Sequence, residues 1–559
     1  WSRLAWVVSS GDLVSAPLLG LARSARSEDP DRRLSTIEVD GSAESWAKLA
    51  EAIRSPEGEL AIREGTVLAP RIAPAEREEP LRAPAGPHRL ALAPGGGVEF
   101  EPALPAPLGP GQVRIAVRAA GLNFRDVLDS MGVESRRADP LGVECAGIVL
   151  EAGAGAPFRP GDRVMGLAAG TFGAEASGDA RTLVPIPDGL SFEEAATMPA
   201  AYLTAWYALH DLAGLSRGEK VLVHAAAGGV GMAAVHVARR LGAEVWATAS
   251  RRKWGALEAL GIARERIESS RSAAFGEAFR GAGIDVVLDA FTGDRVEAGL
   301  GLLGPGGRFI EMGKRGLLDP ADVARRHPGV TYRAFDLIEA GLDRLGEILR
   351  EVADLPPLPA MPFDLERSGE AFRFMATARH VGKVVLVPGE RPLVEGDGWV
   401  LVTGGLSGLG REVARHLVTV RGVKRIVLTS RRGPDAPGAS ELALELRAAG
   451  AEVDAVACDV ADRTALERLV AGHPLEGVVH CAGVLDDGLL ASLDRERLSK
   501  VLAPKLDGAW HLSELAPRAR FFVLFGSLAG TIGAPGQANY AAANAFLDAL
   551  AADRRARGL

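Results

Sequence analysis

Lysine is scarce in this chain. Its 64 basic residues divide into eight lysines and 56 arginines, against 72 acids, for a net charge of -8. No basic block interrupts that acidic balance, which argues against nucleic acid and anionic membrane as partners. Cysteine is scarcer still: Cys145, Cys458 and Cys481 are scattered, with neither a disulfide framework nor metal-ligand spacing, as in a reducing cytoplasm. No apolar run approaches the ~20 residues that span a bilayer. The opening WSRLAWVVSS lacks the basic n-region and long apolar core of a signal peptide, and short-period repeats are missing. What is present is ordinary globular material, 559 residues that are 47% hydrophobic and 24% charged. At about 150 residues per domain that length predicts three or four domains.

Two stretches read as linkers, PAEREEPLRAPAGPH at 74–88 and VPGERPLVEGDG at 387–398. They predict an N-terminal piece at 1–75, a linker at 76–87, a large piece at 88–390, a linker at 391–398 and a last piece at 399–559. The large piece opens with alternating, strand-like runs such as QVRIAVRAAGLN and then changes period. KVLVHAAAGGVGMAAVHVARRLGAEVWATAS (220–250) reads as strand, glycine turn, helix from Met232 to Leu241, and strand, a βαβ unit of a parallel sheet. Strands DVVLDA and GRFIEMG follow. The last piece repeats the pattern with WVLVTGG, RIVLTS, AEVDAVACDV, GVVHCAG and FFVLFGS, a five-stranded doubly wound sheet with a helix from about Leu409 to Thr419. The first piece reads as strand LAWVVSS, helix APLLGLARSARSEDP, strand RLSTIEVD, helix SAESWAKLAEAI and one strand ELAIREGTVLAPRI. The fold class is α/β, with two doubly wound parallel sheets of Rossmann type.

Gly228, Gly229, Val230 and Gly231 form the first glycine turn, which lets backbone approach a pyrophosphate at a helix N-terminus. Glycines alone also serve tight packing. The next strand ends at Ser250 with no acid for a ribose 2′-hydroxyl, and Arg251, Arg252 and Lys253 follow, a cluster suited to the 2′-phosphate of NADPH or simply a solvated basic turn. GLNFRD (121–126), GVECAGIV (142–149), PGDRVMG (160–166) and ARHVGKVVLVP (378–388) make residues 88–390 resemble the medium-chain dehydrogenase/reductases. That resemblance implies a GroES-like β substrate-binding region at 88–205 and 340–390 around a nucleotide-binding part at 206–339. The Cys/His clusters of zinc members are lacking, so no metal is expected. The arrangement is more closely similar to the enoylreductase domain of modular polyketide synthases, which implies hydride from NADPH to the β-carbon of an α,β-unsaturated thioester and a proton to its α-carbon. Lys314 in EMGKRG and Asp336 in RAFDL match positions where the family is suspected to hold donor and tuner, or they form a structural ion pair. Val133 stands near where the family often has tyrosine, which implies the opposite configuration for an α-methyl product.

The second turn is TGGLSGLG, with Thr403, Gly404, Gly405, Ser407, Gly408, Leu409 and Gly410. The following strand ends at Ser430 with Arg431 and Arg432 at the phosphate position, and Asp459 and Val460 in CDV are placed to contact adenine. The combination resembles the short-chain dehydrogenase/reductases. Ser527 closes a strand, Tyr540 lies 13 residues later, and Asn544 shares a helix face with it at i+4. Tyr540 can donate a proton to a nascent alkoxide, Ser527 can orient the carbonyl oxygen, and a nearby cation can stabilise the phenolate left behind. Polyketide ketoreductases, which residues 398–559 resemble, exchange the usual Lys and Asn positions, and Lys505 in APKLDGAW sits where they keep their lysine. Leu485, Asp486 and Asp487 match the signature of their B-type, which implies a D-configured (3R) hydroxyl; Pro535 and Asn539 agree, and Ile532 occupies the neighbourhood of the A-type tryptophan.

Residues 1–75 resemble the C-terminal portion of the ketoreductase structural subdomain, a degenerate Rossmann half without a glycine fingerprint. An enoylreductase inserted between the two ketoreductase halves is the order known in reducing modules. The resemblance places further strands before residue 1 and a substrate lid after Leu559, so the chain as given is not expected to reduce ketones by itself. Implied partners are an acyl carrier protein bearing phosphopantetheine and neighbouring dehydratase, ketosynthase and acyltransferase domains, in the cytoplasm. Two rival readings are a fused quinone or enone reductase with an alcohol dehydrogenase, and a cofactor-binding scaffold with inactive sites.

Overall fold

Buried strands alternating with amphipathic helices set three largely parallel sheets, seen in a computed structural model. It describes residues 4–31, 33–73, 79–84, 86–103, 106–132, 140–313, 315–389, 393–394 and 398–559. The chain divides into two units: residues 1–75 with 392–555 and 559, and residues 76–391 with 556–558.

In the first unit, five parallel strands stand in the order Glu452–Ala457, Arg425–Ser430, Trp399–Thr403, Leu475–His480, Phe521–Leu524. Val400, Leu401 and Val402 on the central strand are fully buried; Val400 and Val402 enter one core and Leu401 the other. Both faces are covered, which is why the strand is continuously apolar rather than alternating. Each such side chain contributes about 1.5–3 kcal/mol. Strand order reverses across Trp399–Thr403, so the loops leaving its end and that of Leu475–His480 flank the crevice where open α/β sheets bind ligands.

The N-terminal part of this unit is a four-stranded sheet, Leu4–Ser9, Leu34–Val39 and Glu59–Arg63 parallel and Thr66–Leu68 antiparallel. The single strand expected over ELAIREGTVLAPRI is therefore a hairpin. Glu64 and Gly65 take φ of 48° and 75°, the two left-handed residues of a tight turn. Asp40 Oδ2 accepts the Glu64 N–H at 2.7 Å and Ser45 Oγ that of Gly65 at 3.1 Å, which holds the turn closed.

Helix Ala16–Glu28 joins the two parts of the unit by direct backbone contact. A Cβ on Gly20 would stand 2.3 Å from the carbonyl oxygen of Ala541, and one on Gly533 2.5 Å from the backbone of Arg23. Arg23 Nη1 donates to the Gly530 carbonyl at 2.6 Å across the same seam.

In the second unit, six parallel strands stand in the order Ile267–Ser269, Glu244–Ala249, Lys220–Val223, Ile284–Asp289, Leu303–Glu311, Thr331–Ala334. The reversal again lies beside the strand that precedes a glycine turn. The helix expected from Met232 starts at Gly229, inside the turn. A seven-stranded mixed sheet is built around Gln112–Gly121, whose Val113, Ile115 and Val117 are buried in alternation with more exposed residues.

Gly20→Ala tests the seam by the sign of its effect. Helix propensity alone would favour alanine by about 1 kcal/mol. The backbone clash predicts instead a loss of about 1–3 kcal/mol and a melting temperature of this unit lower by about 2–10 °C in calorimetry. A rise would show that the two parts do not meet at Gly20.

Candidate active sites

Strand Trp399–Thr403 runs through the glycine turn into helix Gly408–Thr419. A Cβ would stand 3.1 Å from Ala482 Cα on Gly404, 2.7 Å from the Val402 carbonyl on Gly405 and 2.3 Å from the Gly404 carbonyl on Gly410. These glycines let the turn fold against its own strand and helix. Gly408, at φ +51°, meets nothing within 4 Å, which leaves room for a pyrophosphate. The helix has no side-chain cap, so its first N–H groups point the same way. The turn therefore fits a dinucleotide. Gly404, Ser407, Gly408, Leu409 and Gly410 line a cleft of roughly 870 Å³ that also takes in Ser430, Arg431, Arg432, Asp459 and Val460.

Thr403 and Gly405, expected among the cofactor contacts, do not line that cleft. Thr403 is fully buried; its Oγ1 bonds His480 Nδ1 at 2.7 Å and accepts the Ala482 N–H at 3.3 Å. Burial pushes the His480 imidazole down to about 3, so it is a neutral partner that fixes the turn to the next strand.

Behind the cleft, Lys505 Nζ lies 5.6 Å from the centroid of the Tyr540 ring and donates to the Phe525 carbonyl at 2.8 Å. Lys505 is buried, and burial pushes its ammonium down to about 8. A Cβ on Gly483, in the cleft wall, would come 3.1 Å from Lys505 Cε. Tyr540 sits near the start of helix Ala538–Ala556. Asn544 Nδ2 donates to the Tyr540 backbone carbonyl at 2.8 Å, while its buried Oδ1 has no partner among the described residues. Ser527 is half-buried and caps helix Leu528–Ile532, its Oγ accepting the Ala529 N–H at 3.3 Å.

The loop carrying Leu485, Asp486 and Asp487 is held by two cations that the sequence did not single out. Asp486 accepts from Arg497 Nε at 3.0 Å and Lys500 Nζ at 2.8 Å, and hydrogen bonds from Lys500 and Arg497 hold its carboxyl below the usual range. Asn539 Nδ2 donates to the Asp486 carbonyl at 2.8 Å, and Gln537 Nε2 to Asp487 Oδ2 at 2.9 Å. Leu485 and Pro535 are exposed.

In the second unit, Gly231 again packs the helix on its turn, a Cβ there meeting the Ala225 carbonyl at 2.5 Å. Gly228 and Gly229 face more open space, with nearest atoms at 3.4 and 3.6 Å. Helix Gly229–Arg240 also lacks a side-chain cap, Val230 lies half-buried in its first turn, and this turn too fits a dinucleotide. Ser250 and Arg251 are half-buried, and the Arg251 guanidinium lies 5.1 Å from the Trp254 ring centroid. Lys253 is buried, and burial pushes its ammonium down to about 8. Burial, and then Lys253, Lys383 and Arg252, drive the nearby His380 imidazole down to about 4. Cations thus converge here in a way that suits a phosphate. His380 and Lys383 were not foreseen as site residues. Lys383 pairs with Glu144 at 2.5 Å and donates to Asn123 Oδ1 at 2.8 Å, its stem beside Gly229.

Lys314 and Val133 lie outside the described residues. Asp336 is half-buried, and its Oδ1 caps the turn Leu337–Ala340 by accepting the Ile338 N–H at 3.2 Å. Among the described residues there is no group of three or more His, Cys, Asp or Glu that could hold a metal.

Two glycine turns on two doubly wound sheets define a pair of reductase folds. Comparison with known proteins agrees. Residues 2–72 match the Rossmann fold domain of polyketide synthase extender module SpnB, 109–206 the alcohol dehydrogenase GroES-like domain, 262–386 the zinc-binding dehydrogenases and 398–559 the KR domain. Over 98% of its length the chain is 51% identical to the spectinabilin polyketide synthase system protein NorB of Streptomyces orinoci. It is 48% identical, also over 98%, to the mycoketide-CoA synthase of Mycobacterium tuberculosis. It spans 26% and 14% of those two proteins' own lengths. Among solved structures, the CurK enoyl reductase is 36% identical with a TM-score of 0.52, over 54% of this chain and 99% of that one. The chain belongs to the polyketide synthases, and within them it is a reductive segment that carries an enoylreductase and a ketoreductase.

The buried Lys505 gives a pH signature. Below pH 8 the folded chain keeps a charge in its interior that the unfolded chain keeps in water, so the burial cost is complete there. Between about 8 and the ordinary value of 10.5 the unfolded chain holds a proton that the folded one has lost, so stability rises with pH. NMR titration of the Lys505 side chain should give a midpoint near 8, and Lys505→Met should remove this part of the rise. A midpoint near 10.5 would contradict burial of the ammonium.

Proposed function

We propose that the segment performs two NADPH-dependent reductions on acyl chains tethered to the phosphopantetheine of an acyl carrier protein. The ketoreductase reduces a β-ketoacyl thioester to a hydroxyl; a dehydratase elsewhere in the synthase removes water; the enoylreductase saturates the double bond. Ketosynthase and acyltransferase domains are the further neighbours, and the setting is cytoplasmic. The observation that carries this reading is the buried Lys505 ammonium beside the Tyr540 ring, directly behind a glycine-lined cleft.

Bound along each turn, NADPH supplies the hydride. At the ketoreductase, Arg431 and Arg432 meet the 2′-phosphate, Asp459 and Val460 the adenine, and Ser407 and Leu409 the turn-side phosphates. Ser527 orients the substrate carbonyl oxygen, Tyr540 gives that oxygen a proton, and Lys505 stabilises the phenolate. Asn544 fixes the backbone of Tyr540, as its 2.8 Å bond to that carbonyl supports. Leu485, Asp486, Asp487, Pro535 and Asn539 guide the acyl chain so that a D-configured (3R) hydroxyl results.

At the enoylreductase, Ser250, Arg251 and Lys253 hold the 2′-phosphate end. Lys314 protonates the α-carbon and Asp336 tunes it. The Val133 position selects the α-methyl configuration opposite to that of tyrosine-bearing relatives.

Tyr540→Phe in the full-length polypeptide is expected to lower β-keto thioester reduction at least about a hundredfold, the scale of a lost proton donor, with enoyl reduction intact. Loss of both activities would refute independent sites. For the substrate class, crotonyl- and 2-methylcrotonyl-pantetheine should be turned over with NADPH in preference to free quinones. A strong quinone preference would defeat the thioester reading.

A further inference from the structure

Glu28 ends helix Ala16–Glu28, where a carboxylate is disfavoured because the helix dipole is negative at that end. Its partners explain the placement. Glu28 Oε2 accepts the N–H of Leu490 at 2.8 Å, and Oε1 accepts the N–H of Gly536 at 3.0 Å. Leu490 closes the loop that carries Leu485, Asp486 and Asp487. Gly536 lies in the loop that carries Pro535 and leads into Tyr540. The two loops also meet directly, the Gly488 N–H donating to the Gly536 carbonyl at 2.7 Å. One carboxylate thus ties together two loops, one of which leads into Tyr540.

The rest of the helix face is consistent with this task. Gly20, Ser24 and Glu28 are spaced i, i+4, i+8, on one face. Gly20 permits backbone contact at Ala541, and Ser24 Oγ accepts the Ala534 N–H at 3.1 Å. Of these three, Glu28 is the one hydrogen-bonded to both loops. Two amide donors on separate segments need an acceptor with two oxygens; a carboxylate has them, whereas a glutamine has one and turns an NH₂ toward the other amide.

We infer that Glu28 is a positioning residue of the ketoreductase: from the N-terminal half-domain it clamps the 484–490 loop to the 533–537 loop and thereby sets how the β-keto thioester lies against Tyr540. This rests on the ketoreductase reading above and gives the glycine-turn-free half a part in substrate positioning.

The test is Glu28→Gln in the full-length polypeptide, with Glu28→Ala beside it, since the isosteric variant keeps the packing and loses one tie. Amide exchange should quicken about tenfold or more in both loops, with helix Ala538–Ala556 unchanged. KM for the β-keto thioester should rise about tenfold with kcat changed less than about threefold, and the minor hydroxyl configuration should increase. NADPH affinity and enoyl reduction should match the parent. Unchanged exchange in the two loops overturns the clamp, whatever the activity. A joint fall in kcat, NADPH affinity and melting temperature with configuration preserved also overturns it, since that is a stability effect. If the parent itself yields the other hydroxyl configuration, the stereochemical reading fails alone, because the clamp is judged by variant against parent.

Discussion

The ketoreductase unit depends on a close approach of backbone to backbone. Helix Ala16–Glu28 lies so near residues 530–541 that glycine is required at 20 and again at 533. The loop that leads into Tyr540 and the start of its helix rest on that seam. The short segment from Gly530 to Gly536 must place its polar backbone groups somewhere, and Arg23, Ser24 and Glu28 receive several of them. Chain length is no obstacle to such a design. The cost of closing a loop grows by only about 0.6 kcal/mol per doubling, so two segments separated by a folded insertion can still share one core, provided the seam itself is well made. That is the sense in which a half-domain without a phosphate turn is an integral part of a catalytic unit.

The two glycine turns show one solution applied twice. In both, the last glycine exists for packing, Gly231 against Ala225 and Gly410 against Gly404, while Gly228 and Gly229 in one turn and Gly408 in the other face more open space. Their cations differ. Arg431 and Arg432 are exposed, so their field is screened by solvent and salt. Lys253 is buried beside Trp254 and shares its surroundings with His380 and Lys383. His380 is held neutral there and Lys383 is paired with Glu144, so burial rather than crowding of charge distinguishes Lys253 from its exposed counterparts.

The fold was largely legible because its signals are local: a buried strand is an apolar run, and a phosphate turn is a glycine cluster between strand and helix. The hairpin at Glu64 and Gly65 escaped because the apolar runs on either side of the polar REGT were read as one strand. Site residues could be nominated from sequence where chemistry restricts the residue type, as for Tyr540. They were less so where packing decides. Nothing about Thr403 or Gly405 says which way the strand end faces, and both turn inward. The contacts of Glu28 lie 462 and 508 residues away in sequence, a separation no motif spans. One compositional signal ran deeper than expected. With eight lysines against 56 arginines, lysine persists where a compact ammonium is needed: Lys253, Lys383, Lys500 and Lys505 all stand at the two sites.

Lys505 shows why arginine would not serve. A guanidinium carries five donors and keeps its charge at any accessible pH; buried behind Gly483, it would need partners for all of them. The ammonium has three donors and places one of them on the Phe525 carbonyl, and burial has lowered its hold on the proton. Such a charge is costly in the resting protein and gains most when an anion forms nearby. On the proposed mechanism that anion arises when Tyr540 gives up its proton, 5.6 Å from ring centroid to ammonium. The attraction is then greatest when the reaction has created the phenolate and smaller before it. An interaction that strengthens along the reaction lowers the barrier, whereas one present equally at the start would only tighten binding. On that proposed mechanism, burial of Lys505 exchanges some folding stability for charge stabilisation timed to proton transfer.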